Sequence, residues 1–180
     1  MIPPAAGIVV WLGASLVVVS DGRRGLAVGI ALAALGLATF AFLVAGPPAG
    51  AALALGGAVA TARRWFTGAG GWAILPPGST PRLVLCVATA LIAFWVAAGV
   101  TSGPYASLRF AVIVSAGLSA ARVLSTSEQT VLLSAVAVLA LSVASAAAVG
   151  SPSPQVWPYI AGGVVSAAAG WVPVRSASAA

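Results

Sequence analysis

Histidine and lysine are missing from this 180-residue chain, and its charged side chains are eight arginines and two acids, Asp21 and Glu128. Each absence removes a class of chemistry. Without histidine there is no Ser–His dyad, no imidazole metal ligand and no bis-histidine haem site. Without lysine there is no Schiff base, which excludes a retinal-binding seven-helix protein. A single cysteine, Cys86, forms neither an internal disulfide nor a thiolate cluster, and within its apolar run it reads as a small buried hydrophobe. The two carboxylates lie in separate polar gaps with no other ligand types beside them, so neither a paired-carboxylate site nor a metal site is expected. A Walker-type glycine loop is also lacking. The chain is therefore predicted not to be an enzyme and to need no cofactor.

Charge is scarce enough to identify the solvent. A water-soluble domain carries about a quarter of its residues as charges. Here 6% are charged, 61% are hydrophobic and the mean hydropathy is +1.13. Such a surface would aggregate in water, so most of it must face lipid. The net charge of +6 does not imply nucleic acid, because the arginines are dispersed and no basic stripe with interleaved aromatics exists.

Seven apolar runs are read between the polar gaps, at residues 5–20, 26–45, 49–62, 83–100, 105–124, 130–149 and 159–172. A hydrocarbon layer about 30 Å thick needs roughly 20 helical residues, and open strands cannot satisfy their backbone groups in lipid. The prediction is an all-α polytopic transmembrane bundle of seven spans, with a six-span version as the alternative. The runs at 49–62 and 159–172 reach full length only if their helices extend into the flanking residues. A single membrane domain is expected, with possible halves at 1–64 (three spans) and 83–180 (four spans) joined by an interfacial Gly/Pro-rich linker at 65–82.

The gaps alternate between charged and uncharged. Arg23 and Arg24, Arg63 and Arg64, Arg82, Arg122 and Arg175 all fall on one side if the N-terminus lies outside, as the positive-inside bias requires. These seven arginines read as topology determinants, with the C-terminus cytoplasmic. The N-terminus lacks the basic region of a cleavable signal peptide, so the first run is read as a retained span. Abundant Ala, Gly, Val, Pro and Arg, without Lys or Asn, suggests a GC-rich bacterial genome and hence an inner membrane. An aromatic belt is expected, with Tyr105, Trp157 and Tyr159 outside and Trp65, Trp72 and Trp171 inside. Ser125 to Glu128 has the spacing of a capping box for the sixth helix.

Two sets of residues stand out beyond topology. Arg109 lies one turn into the fifth run on the otherwise uncharged side, where it either snorkels or contacts a partner chain, a lipid or an anion. Gly25, Gly29, Gly56, Gly57, Gly162 and Gly163 permit close helix approach or, in interrupted spans, mark a solute path. Single hydroxyls at Thr39, Thr89, Ser115, Ser119, Ser134 and Ser142 are explained by bonds to their own helices. The leading expectation is a non-catalytic subunit that scaffolds or stabilises a larger membrane complex, its partners being the bilayer and other membrane subunits. The alternative is a small transporter or channel component for a weakly polar or hydrophobic solute.

Overall fold

A computed structural model describes residues 2–67, 70–74, 78, 80–100, 105–150 and 155–173. Arg175 lies outside them. The described residues form seven α-helices: α1 (Ile2–Val19), α2 (Arg23–Ala45), α3 (Pro47–Phe66), α4 (Thr80–Trp95), α5 (Ala106–Ser125), α6 (Gln129–Gly150) and α7 (Trp157–Trp171). A π-helical turn, Val96–Val100, continues α4. By length and composition five helices are able to cross a membrane: α1, α2, α4 with its π turn, α5 and α6. The third apolar run does extend, through Arg63, Arg64 and Trp65 to Phe66, whereas α7 has 15 residues.

The chain turns sharply because its punctuation leaves no alternative. Gly46 adopts φ +85° between α2 and α3, a left-handed conformation that glycine reaches without a Cβ penalty. Pro47 and Pro48 then open α3, where a missing N–H costs nothing. At the start of α6 the outcome differs from the expected capping box. Glu128 precedes the helix, its N–H donates to Thr126 Oγ1 (3.2 Å), and its carboxylate accepts the Thr130 hydroxyl (3.2 Å). Ser125 Oγ instead donates back to the Arg122 carbonyl (3.4 Å), because α5 continues to Ser125 and keeps that side chain within its own last turn.

Two rows of helices face each other. In one row α2 packs between α1 and α3; in the other α6 packs between α5 and α7. Like faces like: α1 lies against α5, α2 against α6 and α3 against α7. No rotation about the bundle axis superposes two rows arranged this way, since a half-turn would place α1 against α7. The residues before and after the 65–82 linker thus pack into one bundle. Helix α4 lies outside the rows against α1 and α5, burying Cys86 and Ala93 and exposing Val84, Leu91, Ile92, Phe94 and Trp95. Trp11 Nε1 ties it to α1 by donating to the Cys86 carbonyl (3.3 Å). An apolar cavity of about 360 Å³ remains between α1, α4 and α5, lined by Gly7, Ile8, Phe94, Ala97 and Phe110 among others.

Small residues set the helix separations. A Cβ on Gly56 would run into the carbonyl of Gly163, and one on Gly163 into the carbonyl of Ala52. Gly57 meets the Ala34 methyl and Gly162 the Ala144 methyl, while Gly29 lies against Gly13 and Val17. The backbones therefore touch, which suits a medium where van der Waals packing must replace the hydrophobic drive for helix association. Tyr159 departs from the expected belt. It is 1% exposed, packed with Phe40, Leu53 and Leu141 in the core, and its hydroxyl has no partner among the described residues. Its position in the first turn of α7 faces α3 and α6, not the surface. Trp65, Trp72, Tyr105, Trp157 and Trp171 are exposed.

Gly56→Ala and Gly163→Ala are each expected to destabilise the protein by about 1–3 kcal/mol through overpacking. Gly70→Ala, where an added Cβ meets nothing within 4 Å, stays within roughly 0.5 kcal/mol. Thermal melts of the three variants in one detergent check this; equal losses at all three would refute the packing account.

Candidate functional site

Helices that run up and down bring the α1–α2 turn, the end of α3, the start of α4 and the α5–α6 turn to one end of the bundle. All the described arginines except Arg109 gather there. The centre of the cluster is Asp21. Its carboxylate accepts Arg82 Nη1 on both oxygens, each at 3.1 Å, and Arg122 Nη2 on Oδ1. One acid thereby joins the α1–α2 turn to residues 61 and 101 positions further along the chain.

The two ion pairs have unlike environments. The Arg122 side chain is 1% exposed, against 34% for Arg82 and 36% for Asp21. An unpaired guanidinium in such a place would carry a desolvation penalty of several kcal/mol, so the carboxylate is what makes a buried Arg122 tolerable. Among the described residues, Nε and Nη1 of Arg122 still have no partner.

A stretch of the linker closes over the turn. The Asp21 N–H donates to the Ala73 carbonyl (3.1 Å), the Arg24 N–H donates to the Gly71 carbonyl (3.2 Å), and Ser20 pairs with Ile74 in an antiparallel bridge. Gly22 makes this possible, because a Cβ there would lie 2.6 Å from the Gly71 carbonyl oxygen. Gly25 is similarly crowded by Ser20 and the Trp72 carbonyl. The expected interfacial linker is thus partly a strap fastened to the α1–α2 turn.

Arg23 and Arg24 open α2, with Arg24 exposed. Arg63 stacks on Trp171, its guanidinium carbon 5.4 Å from the ring centroid, a cation–π geometry. Arg64 and Arg122 are each 2% exposed, and both lie on the faces of α3 and α5 that turn into the bundle. Arg109 is half-buried one turn into α5, at the opposite end. The six glycines lie at helix–helix or strap contacts.

The hydroxyls largely serve their own helices. Thr39, Ser115, Ser134 and Ser142 donate to carbonyls four residues back at 2.6–2.8 Å. Ser142 and Ser115 also approach each other at 2.7 Å, linking α6 to α5. Ser119 Oγ is buried without a partner among the described residues. Missing from the sequence reading was the Asp21 cluster. A signal was present: a lone acid in a gap surrounded by arginines must pair in a low-dielectric protein, although the choice of Arg82 and Arg122 depends on the fold.

Removing the shared charge leaves Arg122 buried and unpaired. Asp21→Asn is expected to lower stability by about 2–3 kcal/mol, less than the 3–5 of a fully buried pair because a third of Asp21 is open to solvent. That corresponds to roughly 5–10 °C in a thermal melt. Adding Arg122→Met to Asp21→Asn should restore most of the loss, whereas a double variant no more stable than the single would show that Asp21 acts otherwise.

Comparison of the chain with protein-family models, with curated proteins and with solved structures finds no match at the level that would assign a family, a relative or a shared fold.

Proposed function

We propose that the chain is a seven-span protein of a bacterial inner membrane, with its N-terminus outside and its C-terminus cytoplasmic, acting as a non-catalytic subunit that stabilises a larger membrane complex. The orientation follows from the charged end. Arg23, Arg24, Arg63, Arg64, Arg82 and Arg122 gather there, and cytoplasmic ends carry such an excess. In this reading α3 crosses with its last turn at the inner interface, and the shorter α7 crosses where the bilayer thins or aromatic residues anchor its ends.

The observation that carries the scaffold reading is the closed state of the glycine contacts. Gly56 and Gly163 meet backbone to backbone, and Gly57 and Gly162 meet alanine methyls. A solute path through those positions would need polar groups and space between the helices, as transporter sites at interrupted helices have. Small residues instead open outward. A groove of about 500 Å³ runs between α6 and α7, lined by Leu139, Ala140, Val143, Ala147, Ala161 and Val165 among others. Such a surface admits a partner helix at short range.

Extraction in a mild detergent followed by native gel electrophoresis should give a species larger than the monomer, with other membrane proteins co-purifying. A clean monomer or homo-oligomer that moves solute in liposomes would overturn the proposal in favour of transport. Reporter fusions after Gly46, Ser79, Gly103, Glu128 and Pro154 should alternate in activity, and failure to alternate would refute the seven-span topology.

A further inference from the structure

Helix α4 is the least embedded of the five helices able to cross a membrane. With its π turn, 17% of its span is buried inside the protein, against 39–56% in the other four. The buried residues are Cys86 and Ala93, with Ala97 in the π turn, and all three are small. Few buried apolar contacts mark a segment that opens at low free-energy cost. The cavity of about 360 Å³ lies behind the second half of α4, lined on that side by Phe94, Ala97 and Ala98. Lipid makes separation cheaper still, because acyl chains are as apolar as the faces of α1 and α5 they would replace.

Two polar contacts fasten the first two turns of α4. Arg82 Nη1 donates to both oxygens of Asp21, and Trp11 Nε1 donates to the Cys86 carbonyl. The linker leading into α4 is tied at the same place. Arg24 stands in the first turn of α2, where N–H groups have no partner within the helix, and the N-cap residue Gly22 offers no side chain to meet them. The Gly71 carbonyl of the strap accepts the Arg24 N–H instead, and the Ala73 carbonyl accepts that of Asp21. Ala73 itself has φ +36°, a region that strains a residue with a Cβ and persists only under restraint from its surroundings. The strap is therefore held down by what it touches.

Asp21 belongs to both fastenings: its amide holds the strap and its carboxylate holds α4. We infer that α4, its π turn and the 70–74 strap form one movable unit, clasped to the bundle by Asp21, which swings away from α1 and α5 while the two rows stay packed. Opening uncovers Ala14, Val18, Val114 and Leu118, which cluster with Cys86 and Ala93 in the closed state, and it widens the cavity toward lipid. Arg122 keeps Asp21 as its partner during the movement, so the rows retain their buried ion pair. The movement requires a lipid or detergent environment but not membership of a complex. Reporter fusions test the spans and co-purification tests the complex, whereas the movement is read on the isolated protein.

Cys86, the chain's single cysteine and 4% exposed, is the natural probe. The test is its rate of labelling by N-ethylmaleimide in detergent, together with hydrogen exchange read by mass spectrometry. Arg82→Gln releases α4 from Asp21 and leaves the Arg122 pair intact. It should raise the labelling rate by about two- to fivefold, as expected for loss of a partly exposed ion pair. Exchange should rise by a similar factor in residues 90–95, more than two turns from the substitution, and at the Asp21 and Arg24 amides under the strap, with α3 and α7 unchanged. Trp11→Phe, which removes the indole donor, should also speed labelling. Gly56→Ala loosens the contact between α3 and α7 and should leave the labelling rate as it is.

Labelling that rises as much in Gly56→Ala as in Arg82→Gln would mean that Cys86 is reached only through global unfolding, and it overturns the movable unit. Faster exchange confined to residues 80–85 reduces the effect to fraying of one helix end and overturns it equally. Faster exchange in α4 with the Asp21 and Arg24 amides unchanged removes the strap from the unit.

Discussion

One carboxylate governs the charged end of this bundle. Asp21 stands where α1 turns into α2, and its two oxygens meet guanidinium groups from the start of α4 and the end of α5. In water such a pairing would be worth little. Here Arg122 is buried, so the charge is needed where it stands, and the cost of losing it far exceeds the net gain of having it. The arrangement specifies more than it stabilises. Helix α4 has few buried residues of its own, and the Arg82 contact with Asp21 fixes its first turn against the rows beside it. The same turn carries the 70–74 strap through two backbone hydrogen bonds.

Away from that end, order comes from the absence of side chains. Lipid tails are as apolar as leucine, so burying leucine between helices gains little. What is gained comes from contact density, and glycine at Gly29, Gly56, Gly57, Gly162 and Gly163 lets backbones approach until carbonyls and methyls touch. The result is a two-row bundle whose interior is closed at those positions, with larger side chains such as Leu91, Ile92, Phe94 and Trp95 turned outward. A soluble protein with that surface would aggregate; one in lipid has matched its solvent.

Much of the helical organisation was legible in the sequence because it depends on local quantities. Run lengths, Pro–Gly turns and the spacing of arginines mark seven helices, and each apolar run corresponds to one of them. The extension of α3 through Arg63 and Arg64 follows from the length a span needs, and the hydroxyl bonds at Thr39, Ser115, Ser134 and Ser142 follow from helix geometry alone. Other features were hidden because they depend on where distant segments meet. Tyr159 reads as an interfacial aromatic by its place at a run boundary, yet α3 and α6 close around it. Ser125 and Glu128 have capping-box spacing, but α5 runs on far enough to claim Ser125. Arg64 and Arg122 are indistinguishable from their neighbours in sequence and differ from them entirely in burial.

That difference changes what the arginines mean. Arg109 alone breaks the charge alternation of the sequence. The imbalance that matters lies among the arginines that obeyed it. A chain with eight arginines and two acids cannot neutralise itself, and exposed guanidinium groups such as Arg24 have water for that purpose. Buried ones do not. Asp21 relieves Arg122 in part, and nothing in the described chain relieves Arg64. Of the arginines that set the charge alternation, Arg64 and Arg122 are folded inward, and of these two only Arg122 is held by an acid among the described residues.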